Sequence, residues 1–185
     1  MQRPVSRRPG RTASGPFARI HITLNALPGD FGVTLNGPTT IARGSVRVGP
    51  SDRREIPTTM TALDLDGMLE SGGETLGPLS VRLNPDQPST GRIIADGLGS
   101  DFPATSFFDI FLQITTPLGI LHNDVPIHMH ADIPRIPPLF TLYQPDNEPI
   151  PLKSSDGRTV GMIRHAAHVP VPPDEFGIVF ENVSQ

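Results

Sequence analysis

The sequence predicts an all-β domain, a single antiparallel β-sandwich or barrel, and three observations carry that prediction. Apolar residues recur at every second position over much of the chain, which is the period of a strand with one buried face. Gly 18 and Pro 22 supply frequent breaks, so the alternating runs are cut into short lengths by turn chemistry. Helical periodicity is nearly absent. ALDLDGMLESGG is the longest stretch that could wind, and Gly67 interrupts it before two more glycines end it.

Taken in order, residues 1–16 form a basic arm. Arg3, Arg7, Arg8 and Arg11, with Arg19 beyond them, put five positive charges and no acid into the first 19 residues of a chain whose net charge is −4. Such an arm is expected to be flexible, to cross to a neighbouring subunit, or to face a polyanion such as nucleic acid. The domain proper spans residues 17–173. FARIHITL sets Ile20, Ile22 and Leu24 on one side, FGVTLNG sets Phe31, Val33 and Leu35 in phase, and SVRVG does the same with Val46 and Val48. Pro-Gly-Asp, Asn-Gly-Pro and Pro-Asp-Gln clusters are expected as the turns between strands. TTMTALDLDG reads as a strand ending in a turn at Gly67, and PLSVRLN as a strand with Leu79, Val81 and Leu83 inward. Ile93 and Ile94 mark another short strand.

SFFDIFLQITT, residues 106–116, is apolar on nearly both faces and is expected as one central strand covered on both sides. A turn at Pro117 to Gly119 leads to ILHNDVPIHMHADI, its expected hairpin partner. Residues 174–185 form a tail in which Ile178, Val179 and Phe180 could make a last strand or pair with a neighbour.

These same segments carry a resemblance. SFFDIFLQITTPLGILHNDVPIHMHADI, followed by IPP and later GMIRHAAHVPVP, resembles an uncharacterised bacterial all-β domain family over residues 17–173. The resemblance implies a compact β-domain, often part of exported or surface-associated proteins, with no assigned reaction. Its motifs are structural and name no catalytic residue.

Composition narrows the function. Cys 0 excludes disulfides and thiolate ligands. No apolar run reaches the ~18–20 residues that cross a bilayer, and no apolar segment follows the basic arm as in a signal peptide, so cytoplasmic location is the default and surface association the alternative. Trp 0 and Tyr 1 leave few flat platforms for sugars or single-stranded nucleic acid.

IHMHADI is the strongest chemical motif. On a strand, His128, His130 and Asp132 project from one face about 6.5–7 Å apart, a spacing that suits two imidazoles on one divalent metal. His21, His122, His165 and His168 are further candidate ligands, the last two matching one face of a helical turn. The competing reading is the wet face of a half-exposed strand. In LHND, His122 beside Asp124 suggests acid–base chemistry, but Asn and Asp after a strand are turn formers first and no nucleophile accompanies them. Asp64 and Asp66 before Gly67 suggest part of a calcium loop without its later ligands. DGLGSD reads as a turn. The first expectation is therefore a non-enzymatic, cofactor-free domain that self-associates as a homo-oligomer in a bacterial assembly. The second is a cupin-like metal barrel using His128 and His130, and the third a coat-like protein whose arm binds polyanion.

Overall fold

The computed structural model describes residues 11–71 and 73–172. These form fourteen strands and no helix. Strands β1 (Arg11–Leu24), β2 (Leu27–Asn36), β3 (Thr39–Arg43), β4 (Arg47–Val48) and β5 (Arg54–Ser71) make the first third. Then follow β6 (Glu74–Leu83), β7 (Thr90–Ala95), β8 (Ala104–Ile110), β9 (Leu112–Thr116) and β10 (Gly119–His122). The last four are β11 (Ile127–Ile133), β12 (Gln144–Pro145), β13 (Ile150–Ser154) and β14 (Thr159–Val171).

Eight of them close a ring in the order β5, β2, β1, β14, β13, β10, β9, β6 and back to β5. The fold is an antiparallel β-barrel with extra strands, which resolves the choice between sandwich and barrel. Closure leaves the ring without an edge. The extra strands make a second sheet, β12–β11–β8–β7–β5–β3–β1, which shares β1 and β5 with the barrel. Both shared strands are long. β1 pairs with β3 over Arg11 to Ser14 and with β14 from Gly15 to Leu24, while β5 pairs with β7 and β3 up to Leu63 and with β6 from Asp64 onward.

The alternation read from the sequence holds where it matters. Ile20, Ile22, Leu24, Phe31, Val33, Leu35, Leu79 and Val81 are all buried. Inward residues of the barrel and of the second sheet merge into one hydrophobic core.

Several expectations need correction. The chain does not turn at Gly67, because β5 runs on to Ser71 and β2 lies against the glycine. The first hairpin turns at Asn25 and Ala26, so Pro28, Gly29 and Asp30 fall inside β2. Val46 and Val48 are exposed at the short edge strand β4, with no facing sheet to cover them. Of the expected arm, residues 1–10 lie outside the described residues, and Arg11 to Ser14 pair with β3. The tail 174–185 lies outside the described residues.

The largest correction concerns SFFDIFLQITT. It is two strands, broken at Phe111, with β8 in the second sheet and β9 in the barrel. Its partner segment splits in the same place, β10 following β9 and β11 following β8, so the expected hairpin exists but spans both sheets. Only one face is covered, and Phe107 is 40% exposed.

Two buried polar side chains hold the break. Asn123 Oδ1 accepts from Leu112 N at 2.7 Å, and its Nδ2 donates to Ile110 O at 3.0 Å and to Val125 O at 2.8 Å. On the other side, Phe111 N donates to Ser89 Oγ at 2.9 Å. Main-chain groups released from one sheet and not yet taken up by the other thus find partners, as buried backbone must.

Candidate functional site: an apolar cavity between barrel and sheet

The inward faces of the barrel and the second sheet line a partly open cavity of about 110 Å³. Ile20, Leu35 and Leu65 line it from the barrel, and Met60, Ile93 and Phe108 from the sheet. Its wall is almost entirely apolar. The polar exceptions are Arg43 at the end of β3, Thr58 on β5, Ser106 on β8, Tyr143 in the segment before β12, His168 on β14 and, at the rim, the exposed Arg19 on β1.

Register explains why these few face inward. Arg43 is opposite Thr58, Thr58 opposite Gly91, and Gly91 opposite Phe108, so all lie along one row of the inner face. Ser106 is in phase with Phe108, and His168 stands opposite the buried Ala18. Tyr143 exchanges two main-chain bonds with His168, at 2.8 and 3.1 Å, which ties the segment before β12 to β14. Its ring leans on Phe108 with centroids 6.1 Å apart.

Burial sets the ionisation of the inward groups. It pushes the Tyr143 phenol up, an effect that the neighbouring Ser106 hydroxyl partly opposes. It also lowers His168 from 6.5 to about 4, so the imidazole is neutral at neutral pH. Acidification from pH 6.5 to about 4 protonates the unfolded chain before the folded one, so His168 contributes stability above that window and loses it as pH falls through it. About 1–3 kcal/mol is expected to go in this way. Thermal unfolding at pH 7 and pH 4.5 checks it. His168→Gln is expected to flatten that part of the dependence, and an unchanged pH profile would remove the assignment. Asp156, held down to about 2 by the Ser154 hydroxyl and then by Arg158, acts only below its ordinary 3.8.

The motifs read from the sequence lie elsewhere. His128, His130 and Asp132 do project from the outer face of β11, while Met129 and Ala131 are buried behind them. Each turns to a different partner: His128 Nδ1 meets Asp109 Oδ1, His130 Nδ1 is 4.0 Å from Asp146, and Asp132 accepts from Thr105 Oγ1 at 3.2 Å. Among the described residues no three His, Asp or Glu side chains form a group able to hold a metal ion. His165 and His168 are on a strand and not a helical turn, so they point to opposite faces. His165 meets Glu148 at 3.1 Å and stands opposite His21. His122 lies 3.2 Å from Asp124, whose carboxyl is drawn below its ordinary range chiefly by its hydrogen bond from Lys153. Asp64 and Asp66 share Arg82, each at 3.0 Å, across the β5–β6 seam. Of the arm arginines, Arg3, Arg7 and Arg8 lie outside the described residues, and Arg11 opens β1.

This architecture is similar to that of DynF. The solved structure of DynF from the dynemicin biosynthesis pathway of Micromonospora chersina superposes with a TM-score of 0.72 at 22% identity, covering 92% of this chain and 85% of that one. The likeness establishes the shared fold. No family model and no curated protein sequence matches the chain.

Of the inward polar cavity residues, the sequence pointed only to His168, and as a metal ligand. A signal was there: Thr58 and Ser106 sit at inward phase in strands whose neighbours in phase, Met60 and Phe108, are apolar.

Proposed function

We propose that this protein binds a small apolar molecule inside the fold, between the barrel and the second sheet. The supporting observation is the cavity itself. A domain that served only as a building block would gain from filling that space, because cores are otherwise close-packed. This reading therefore stands ahead of the self-associating role and of the polyanion-binding arm expected from the sequence. Binding is favoured over catalysis because Ser106 Oγ, the hydroxyl best placed to act as a nucleophile, has no base within hydrogen-bonding reach. That DynF, of a small-molecule biosynthesis pathway, shares the fold is in keeping with a small ligand here.

Size limits the occupant. About 110 Å³ compares with the roughly 150 Å³ of an engineered apolar cavity that admits benzene, so the part of a ligand held inside is a short chain or a single ring. Ala166, opposite Ile20 on the inner face, offers a way to close the space. Benzene and short alkanols are expected to perturb the methyl resonances of Ile20, Met60 and Met129 saturably, and Ala166→Phe to abolish the effect in a folded variant. Perturbation that fails to saturate, or that persists in the variant, would refute the reading.

A further inference from the structure

Arg43 Nε and Thr58 Oγ1 are buried without a hydrogen-bond partner among the described residues, and both residues line the cavity, where the Ser106 hydroxyl lies beside that of Tyr143. A buried polar group left unpaired costs about 1–3 kcal/mol, and native folds hold few of them. Two side by side at one cavity call for a partner that the chain does not supply. Arg43 decides what kind. It is half-buried, it makes no ion pair with any acid among the described residues, and no Asp or Glu lines the cavity. That bias occurs in a protein with 19 acids against 15 Lys and Arg. The carboxylate of Glu55, on the strand beside Arg43, lies in the opposite phase and faces Arg47 at 3.8 Å.

We propose that the ligand is a carboxylic acid with a short apolar body, its carboxylate bound by the Arg43 guanidinium and the Thr58 hydroxyl. The proposal rests on the apolar-cavity reading above and adds the head group to it. A carboxylate offers only acceptors, and guanidinium and hydroxyl offer the matching donors side by side on the β3–β5 pair. A phosphate, carrying −1.5 to −2 charges at about neutral pH and three acceptor oxygens, would call for a second inward cation, whereas Arg19, the other cation at the cavity, is exposed. The apolar body then lies along Met60 and Phe108.

Straight-chain carboxylates from butanoate to octanoate, each titrated against the amide of the same length, test this by NMR on the full chain. The acids are expected to bind at least about tenfold more tightly than their amides, with the Arg43 Nε–Hε resonance moving on binding. Arg43→Gln is expected to erase that preference and leave amide binding unchanged. Arg43→Lys, which keeps the charge and loses the planar fork, is expected to retain part of it. Equal affinities of acids and amides in the natural protein would overturn the carboxylate and leave the apolar cavity standing. If neither series binds, both fall.

Discussion

Asn123→Ala is expected to cost about 3–5 kcal/mol and to lower the melting temperature by roughly 10 °C. The side chain is fully buried and serves three main-chain groups, one of each strand it joins and one of its own loop. Alanine leaves Leu112 N, Ile110 O and Val125 O without partners in a place water does not reach. Asn123→Asp is expected to be no better, since a carboxylate can accept from Leu112 N but cannot donate to the two carbonyls, and it brings a charge into the core. Calorimetry of the two variants checks both statements. A loss below about 2 °C for alanine would mean that the break between β8 and β9 is held by something else.

Gly67→Ala is expected to cost about 2–3 kcal/mol, and Gly67→Val more. A Cβ at this position would stand 2.5 Å from Thr34 O and 3.0 Å from the side chains of Leu35 and Val33. Backbone of β2 is the obstacle, so no rotamer change relieves it. Because the β2–β5 contact is one link of the ring, with a single paired position at Asn36 and Asp66, register there is expected to loosen as well. Gly97→Ala is the control: its Cβ would meet only Ser100 Oγ at 3.6 Å, an ordinary contact, and stability should change by less than about 0.5 kcal/mol. Chemical denaturation of the three variants ranks them. Equal midpoints would show that β2 can shift without cost.

These two residues also show where reading the sequence stops. Period two made the strands and their buried faces legible, and it put His128 and His130 on an outer face as they are found. What it could not show is that one strand serves two sheets. Gly67 in a lone sequence signals a turn, whereas here it makes room for a neighbouring strand. Phe111 looked like part of an unbroken run because both of its flanks are apolar, and the change of sheet is fixed by Ser89 and Asn123, side chains 22 and 12 positions away. The cavity was harder still. Arg43, Thr58, Ser106, Tyr143 and His168 come from five separate segments, so no local motif unites them. Polar residues at inward phase were the available clue, and each alone reads as a tolerated exception.

One last consequence follows from which strands meet at the seam. β1 and β14 are the first and last strands of the described chain, paired from Gly15 with Val171 to Leu24 with Gly161. A ribosome therefore releases Val171 before the ring can shut. Until then β1 and its neighbours present an open edge, the state in which β-proteins associate wrongly, and closure across so much intervening chain is slow. Stalled or truncated products ending before Thr159 should accordingly be poor at folding and prone to aggregate, even though they hold most of the core.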